Sequence, residues 1–124
     1  MKERKVEFIK NSKIIKSIQC EVAQTFIQKT KGLMDRDELS KDKGMLFIFL
    51  FPWIRTFWMK NVKIPLDIIF INKDKKIIKI YQAPVEKRIA YRLYWSRGFC
   101  KYVIETNMGF CKKNGIVIND KIKF

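Results

Sequence analysis

The sequence predicts a mainly β, mostly antiparallel domain with one short packed helix. Three observations lead there. Period-two alternation recurs in short runs along the chain. Those runs are rich in Ile, Val, Phe and Tyr and are broken by brief polar stretches. A single early segment carries a helical cap and helical spacing instead. The 124 residues are 48% hydrophobic and 14% aromatic, enough to fill one core, and at this size about two thirds of the unfolded surface is buried. Residues 1–124 are read as a single domain, because no repeat, Ser/Gly linker or low-complexity tract divides them.

The elements follow in chain order. Val6 and Phe8 alternate, as do Ile14, Ile18, Cys20 and Val22, so two strands are expected around a turn at Asn11-Ser12. Thr25 followed by Gln28 fits a capping box, and Phe26, Ile27, Thr30, Leu33 and Met34 share one helical face. Gly32 weakens such a helix by up to about 1 kcal/mol, so it marks close packing of the helix on a strand. Met45 to Ile54 is the most apolar run and reads as a strand buried on both faces, with its β-rich part over Met45 to Phe51. It is too short for a membrane span, which needs about twenty residues. Further strands are expected at Arg55 to Met59, Leu66 to Ile71, Ile77 to Ala83, Tyr102 to Thr106 and Lys121 to Phe124. Asn72-Lys73-Asp74-Lys75 is short and polar, the mark of a hairpin. A second short helix is expected over Gly109 to Lys113, ended by Asn114-Gly115.

Composition excludes much chemistry. There is no His, so Ser-His, Cys-His and His-metal sites are absent. Cys20, Cys100 and Cys111 are odd in number and form no CxxC pair, which rules out a disulfide framework and a four-cysteine zinc site. A reduced, cytoplasmic protein is expected, with one intramolecular pair such as Cys100 with Cys111 left open for a hyperthermophile. Met1 to Lys10 is charged throughout and has no apolar stretch, so no signal peptide is expected. The five glycines stand singly and make no phosphate loop, nucleophile elbow or dinucleotide fingerprint. No cofactor, no metal and no catalytic residue is therefore assigned.

Several blocks carry a resemblance. They are Gly32-Leu33-Met34-Asp35-Arg36, Gly44-Met45-Leu46-Phe47-Ile48-Phe49, Phe57-Trp58-Met59-Lys60-Asn61, Ile64-Pro65-Leu66-Asp67-Ile68-Ile69-Phe70-Ile71, Tyr102-Val103-Ile104-Glu105, and Gly115-Ile116 before Asp120. In order and spacing this series resembles the uncharacterised family called domain of unknown function 192, from about Cys20 to the end. The resemblance implies a jelly-roll-like antiparallel β-sandwich and no established activity. Val62 stands where that family often has Thr, and Met108 to Lys113 departs from its usual Pro-Ala-Gly stretch.

Candidate ligand-binding residues are Arg36, Trp58, Lys60, Asn61, Asp67 and Glu105. Asp67 lies in an apolar strand, so it must pair with a cation such as Lys60 or Arg36, accept backbone hydrogen bonds, or stay protonated. An ion pair that merely fixes register is the plain alternative to a ligand site. Trp58 beside Lys60 and Asn61 offers an aromatic plate, a cation and an amide for a small polar ligand, although such rings more often fill cores. Glu105 near Asp67 would give a carboxylate pair for acid-base work, an enzyme reading that also uses Lys60. The net charge is 27 − 12 = +15, which attracts polyanions. Lys87, Arg88, Arg92, Trp95, Arg97 and Lys101 interleave with rings in a composition suited to nucleic acid, yet no recognised nucleic-acid motif accompanies them. The sequence thus favours a non-enzymatic binding module for a small polar ligand or partner, with nucleic-acid association and an enzyme as rivals.

Overall fold

Asn11 and Ser12 both take left-handed φ values, 50° and 65°, as a two-residue turn between right-twisted strands requires. They join β1 (Glu3–Lys10) to β2 (Lys13–Ala23) as an antiparallel hairpin. The computed structural model describes residues 1–87 and 90–124. Beyond β2 come α1 (Phe26–Lys31), β3 (Lys43–Trp53), β4 (Thr56–Phe57), β5 (Leu66–Ile71) and β6 (Ile77–Ala83). The chain then forms β7 (Tyr94–Trp95), β8 (Cys100–Asn107), α2 (Phe110–Asn114) and β9 (Lys121–Lys123).

Seven strands make one mixed sheet in the order β6-β5-β8-β3-β2-β1-β9, and β4 with β7 makes a small second sheet. The mainly β reading holds, with one difference in pairing: β2 and β3 run parallel. Parallel neighbours need a crossover, and the segment from Gln24 to Asp42 that contains α1 supplies it. The Asn72–Lys75 hairpin joins β5 and β6 as expected.

Each face of the large sheet carries its own core. Leu66, Ile68 and Phe70 of β5 join Met45, Phe47 and Val103 on one face. Ile69 and Ile71 join Leu46, Ile104 and Cys111 on the other. Being covered on both sides, β5 is buried at all six positions, which is why its sequence reads as a continuous apolar run. The small sheet lies over the first face, contributing Tyr94 and Phe57, and α2 with Ile116 lies on the second.

The expected capping box is present. The Gln28 N–H donates to Thr25 Oγ1 at 3.1 Å, and Gln28 Oε1 accepts from the Thr25 N–H at 3.2 Å. The expected packed face is not: α1 ends at Lys31 and buries no side chain, with Phe26 and Ile27 exposed. Leu33, buried, and Met34, half-buried, follow the helix rather than belong to it. Gly32 closes α1 at φ 48°, and an added Cβ would stand 3.2 Å from the Phe47 ring. The close approach expected at this glycine is therefore real, and it is made by the cap.

Candidate functional site

The six candidate ligand residues do not converge. In the β5–β8 register Asp67 faces Thr106 and Ile68 faces Glu105. Neighbours along a strand point to opposite faces, so Asp67 belongs with the second core and Glu105 with the first. The sequence left open whether the two share a pocket, and this one-residue offset separates them.

Asp67 is buried and finds its partners on the backbone. Its carboxylate accepts from the Gly109 N–H at 3.1 Å and the Cys111 N–H at 2.9 Å, fastening the start of α2 to the central strand. Neither expected cation reaches it. Arg36 forms a forked pair with Glu21, one bond at 3.0 Å, and that pairing lowers the Glu21 pKa and raises that of Arg36. Lys60 is exposed and stands 5.3 Å from the Trp58 ring centre. Trp58 and Lys60 are thus together, although the strand expected over Arg55 to Met59 is only Thr56–Phe57. Asn61 sits in a turn at φ 58°, and its carbonyl accepts from the Asp35 N–H at 2.8 Å.

Glu105 is buried opposite Met45 and Ile68. Burial alone pushes its carboxyl up to about 8. One oxygen would lie 3.9 Å from a Cβ at Gly32, so this acid stands behind the α1 cap and the Phe47 ring. All three thiols are buried and free. Burial raises Cys100 to about 11 and Cys20 to about 12; it also raises Cys111, with Asp67 adding to the effect.

One concavity lies beside that cap. It has a volume of about 390 Å³ and runs between α1, the far end of β3 and β4. Phe47, Phe49, Phe57 and Trp58 wall it, Thr30 and Thr56 supply hydroxyls, and Lys29 and Arg55 bring charge. The two cations share one ring: Lys29 Nζ is 4.6 Å and the Arg55 guanidinium 4.0 Å from the Phe49 centre. Arg55 is further held by the Phe51 carbonyl and by the Cys100 carbonyl, the latter at 3.5 Å. Burial lowers the Lys29 pKa and the nearby Arg55 lowers it further; burial lowers Arg55 as well. Among the described residues no carboxylate lies within ion-pair distance of either. Of the sequence candidates only Trp58 lines this cavity. A signal was available for Arg55, which is the only charged residue between Met45 and Met59. Lys29 had none, since it is one of many lysines.

The basic and aromatic segment is spread out. Arg92 lies over Tyr94 at 4.6 Å, Arg97 over Trp95 at 5.1 Å and Lys101 over Tyr102 at 5.7 Å. Lys87 is exposed, Trp95 is exposed, and Tyr94 and Tyr102 are buried. Arg88 lies outside the described residues. Among the described residues no group of three His, Cys, Asp or Glu side chains is placed to hold a metal ion. Among the described residues no helix is long and apolar enough to cross a membrane.

The family DUF192, described as Uncharacterized ACR, matches residues 7–124. The chain belongs to DUF192. Two solved structures are similar to this DUF192 chain, each at 32% identity and a TM-score of 0.89 over 98% of it. One is a proposed transcription regulator of Sinorhizobium meliloti 1021, with 93% of that chain covered. The other is a protein of unknown function from Novosphingobium aromaticivorans DSM 12444, with 85% covered. No curated protein matches.

Proposed function

We propose that this DUF192 chain is a non-enzymatic binding module that takes a small anion with an apolar or aromatic body in the cavity between α1, β3 and β4. One observation carries the reading: Lys29 and Arg55 stand over the same Phe49 ring, in a cavity, with no carboxylate partner among the described residues. Two like charges held together and partly desolvated are unfavourable, and an anion between them relieves both costs. The aromatic walls suit the rest of such a ligand, and a volume of about 390 Å³ falls in the range of small-molecule sites. The three buried, unpaired thiols fit a reducing, cytoplasmic setting.

Catalysis by Asp67 with Glu105 is not part of this reading, because they occupy opposite faces. The test uses benzoate and phenyl phosphate as anionic probes, with benzamide as the neutral comparison. The anions are expected to raise the melting temperature, as any ligand of the native state does, and Arg55→Met is expected to abolish the rise. A rise of equal size with benzamide, or one that survives Arg55→Met, overturns the anion reading.

A further inference from the structure

The far end of β3 is built in an unusual way. Ile48 pairs with Tyr102, and the next pairing is Trp53 with Cys100. Residues 49–52, Phe-Leu-Phe-Pro, therefore face Lys101 alone, and the excess chain is pushed out of the sheet. Phe49 folds back onto the first core, but Leu50 and Phe51 do not. Leu50 is 87% exposed, Phe51 57%, Trp53 59% and Ile54 48%, and Phe99, stacked on Trp53 with centroids 5.8 Å apart, is 59% exposed. A continuous exposed run of large apolar residues is costly in a soluble protein and marks a surface that meets something apolar.

Charge says what that is. Segments 22–34, 45–66 and 90–104, which build this end, contain no Asp or Glu. They carry eight cations: Lys63 pairs with Asp37 at 3.5 Å, and Lys29, Lys31, Arg55, Lys60, Arg92, Arg97 and Lys101 have no ion-pair partner among the described residues. Two of the cations lie against aromatic rings: the Arg55 guanidinium over Phe49 and Phe51, and Arg97 over the Trp95 ring. Exposed aliphatic and aromatic side chains, Trp53 among them, together with unpaired cations are the chemistry that an anionic bilayer takes up in its acyl region, its interface and its charged surface.

We propose that this end of the molecule is a docking surface for anionic membranes, with Leu50, Phe51, Trp53 and Ile54 entering the interface. A nucleic acid fits the same charge but not the tip, because Leu50 and Ile54 offer no ring for a base to stack on. The surface is distinct from the cavity: Leu50, Phe51, Trp53 and Ile54 do not line it.

The test is sedimentation of the full chain with phosphatidylcholine vesicles, with and without phosphatidylserine, while following Trp emission. Binding that requires phosphatidylserine and shifts the emission to the blue is expected. The double substitution L50S with F51S leaves the charge unchanged and is expected to weaken binding about tenfold or more and to remove the blue shift. Both side chains are exposed, and the Arg55 bond is to the Phe51 backbone, so folding is expected to persist; an unchanged melting temperature checks this. R97E with K101E is the second arm, expected to lower binding to phosphatidylserine vesicles while the fold is kept. L50S/F51S binding like the original chain shows attraction by charge alone and overturns the proposal. So does absence of binding to phosphatidylserine vesicles, or tighter binding to a single-stranded oligonucleotide that L50S/F51S weakens equally. The benzoate response of L50S alone, which keeps the Phe51 ring beside Arg55, is expected to match the original, so failure of the cavity reading is read separately.

Discussion

Asp67 and Glu105 are both buried acids in adjacent central strands, and their surroundings divide them. Asp67 accepts two backbone N–H groups of the α2 start. Glu105 has apolar neighbours, and burial raises its carboxyl to about 8. In the unfolded chain an ordinary Glu ionises near 4.5. The stability that neutral Glu105 lends is therefore complete below about 4.5 and is lost as pH rises through about 8. Between those values the loss approaches about 1.4 kcal/mol per pH unit. Glu105→Gln is expected to flatten this slope in denaturation curves taken across the window. The variant should be the more stable form above pH 8. A pH profile identical to the original chain would show that Glu105 ionises freely in the fold. Asp67→Asn in the same assay is expected to cost about 1 to 3 kcal/mol, since one α2 donor loses its acceptor. The sequence marked both residues as buried carboxylates but could not separate them, because the single-residue offset in register that puts them on opposite faces is a tertiary fact.

At the scale of elements, local chemistry was readable and long-range pairing was not. The Asn11-Ser12 turn, the Thr25–Gln28 capping box, the Asn72–Lys75 hairpin and the Gly109 to Gly115 helix are each set by residues a few positions apart. Leu66 to Ile71 and Ile77 to Ala83 appear as strands with the expected bounds. Three features escaped because they depend on distant partners. These are the parallel β2–β3 pairing, the excess of residues 49–52 against β8, and the early end of α1. Gly32 joins the local and the distant. Its φ of 48° ends α1, and its lack of a side chain admits the Phe47 ring. Gly32→Ala is expected to cost about 1 to 3 kcal/mol, from the left-handed backbone and the crowding together. It is also expected to weaken benzoate binding, since Gly32 and Phe47 line the cavity. Denaturation and thermal shift on the same variant check both effects; a loss below about 0.5 kcal/mol would mean that the ring moves aside without strain.

For the molecule as a whole, the charge of +15 was plain in the sequence, whereas its distribution was not. The acids that form ion pairs, Glu3, Glu7, Glu21, Asp37, Asp42 and Asp120, engage Lys5, Lys10, Lys16, Arg36, Lys43 and Lys63, and among the described residues Lys63 alone of these belongs to the segments that build the β3–β4–β7 end. That leaves Lys29, Arg55, Arg92, Arg97 and Lys101 unneutralised on the side where the cavity and the apolar tip lie. Polyanions will bind such a surface whatever its function, so affinity for nucleic acid at low salt carries no specificity. Stacking would make the difference, and few rings are free for it. Tyr94 and Tyr102 are buried, Phe99 is stacked on Trp53 and Tyr91 lies edge-on to Trp58, which leaves Trp95, 42% exposed, as the ring to test for stacking. Binding of a single-stranded oligonucleotide is therefore expected to collapse as salt rises, as counterion release dictates. Trp95→Ala is expected to change it little at any salt. A loss of about 1 to 3 kcal/mol on Trp95→Ala that persists at raised salt is the mark of a base stacked on that ring, and it would establish a nucleic-acid interface on the Lys87 to Tyr102 segment.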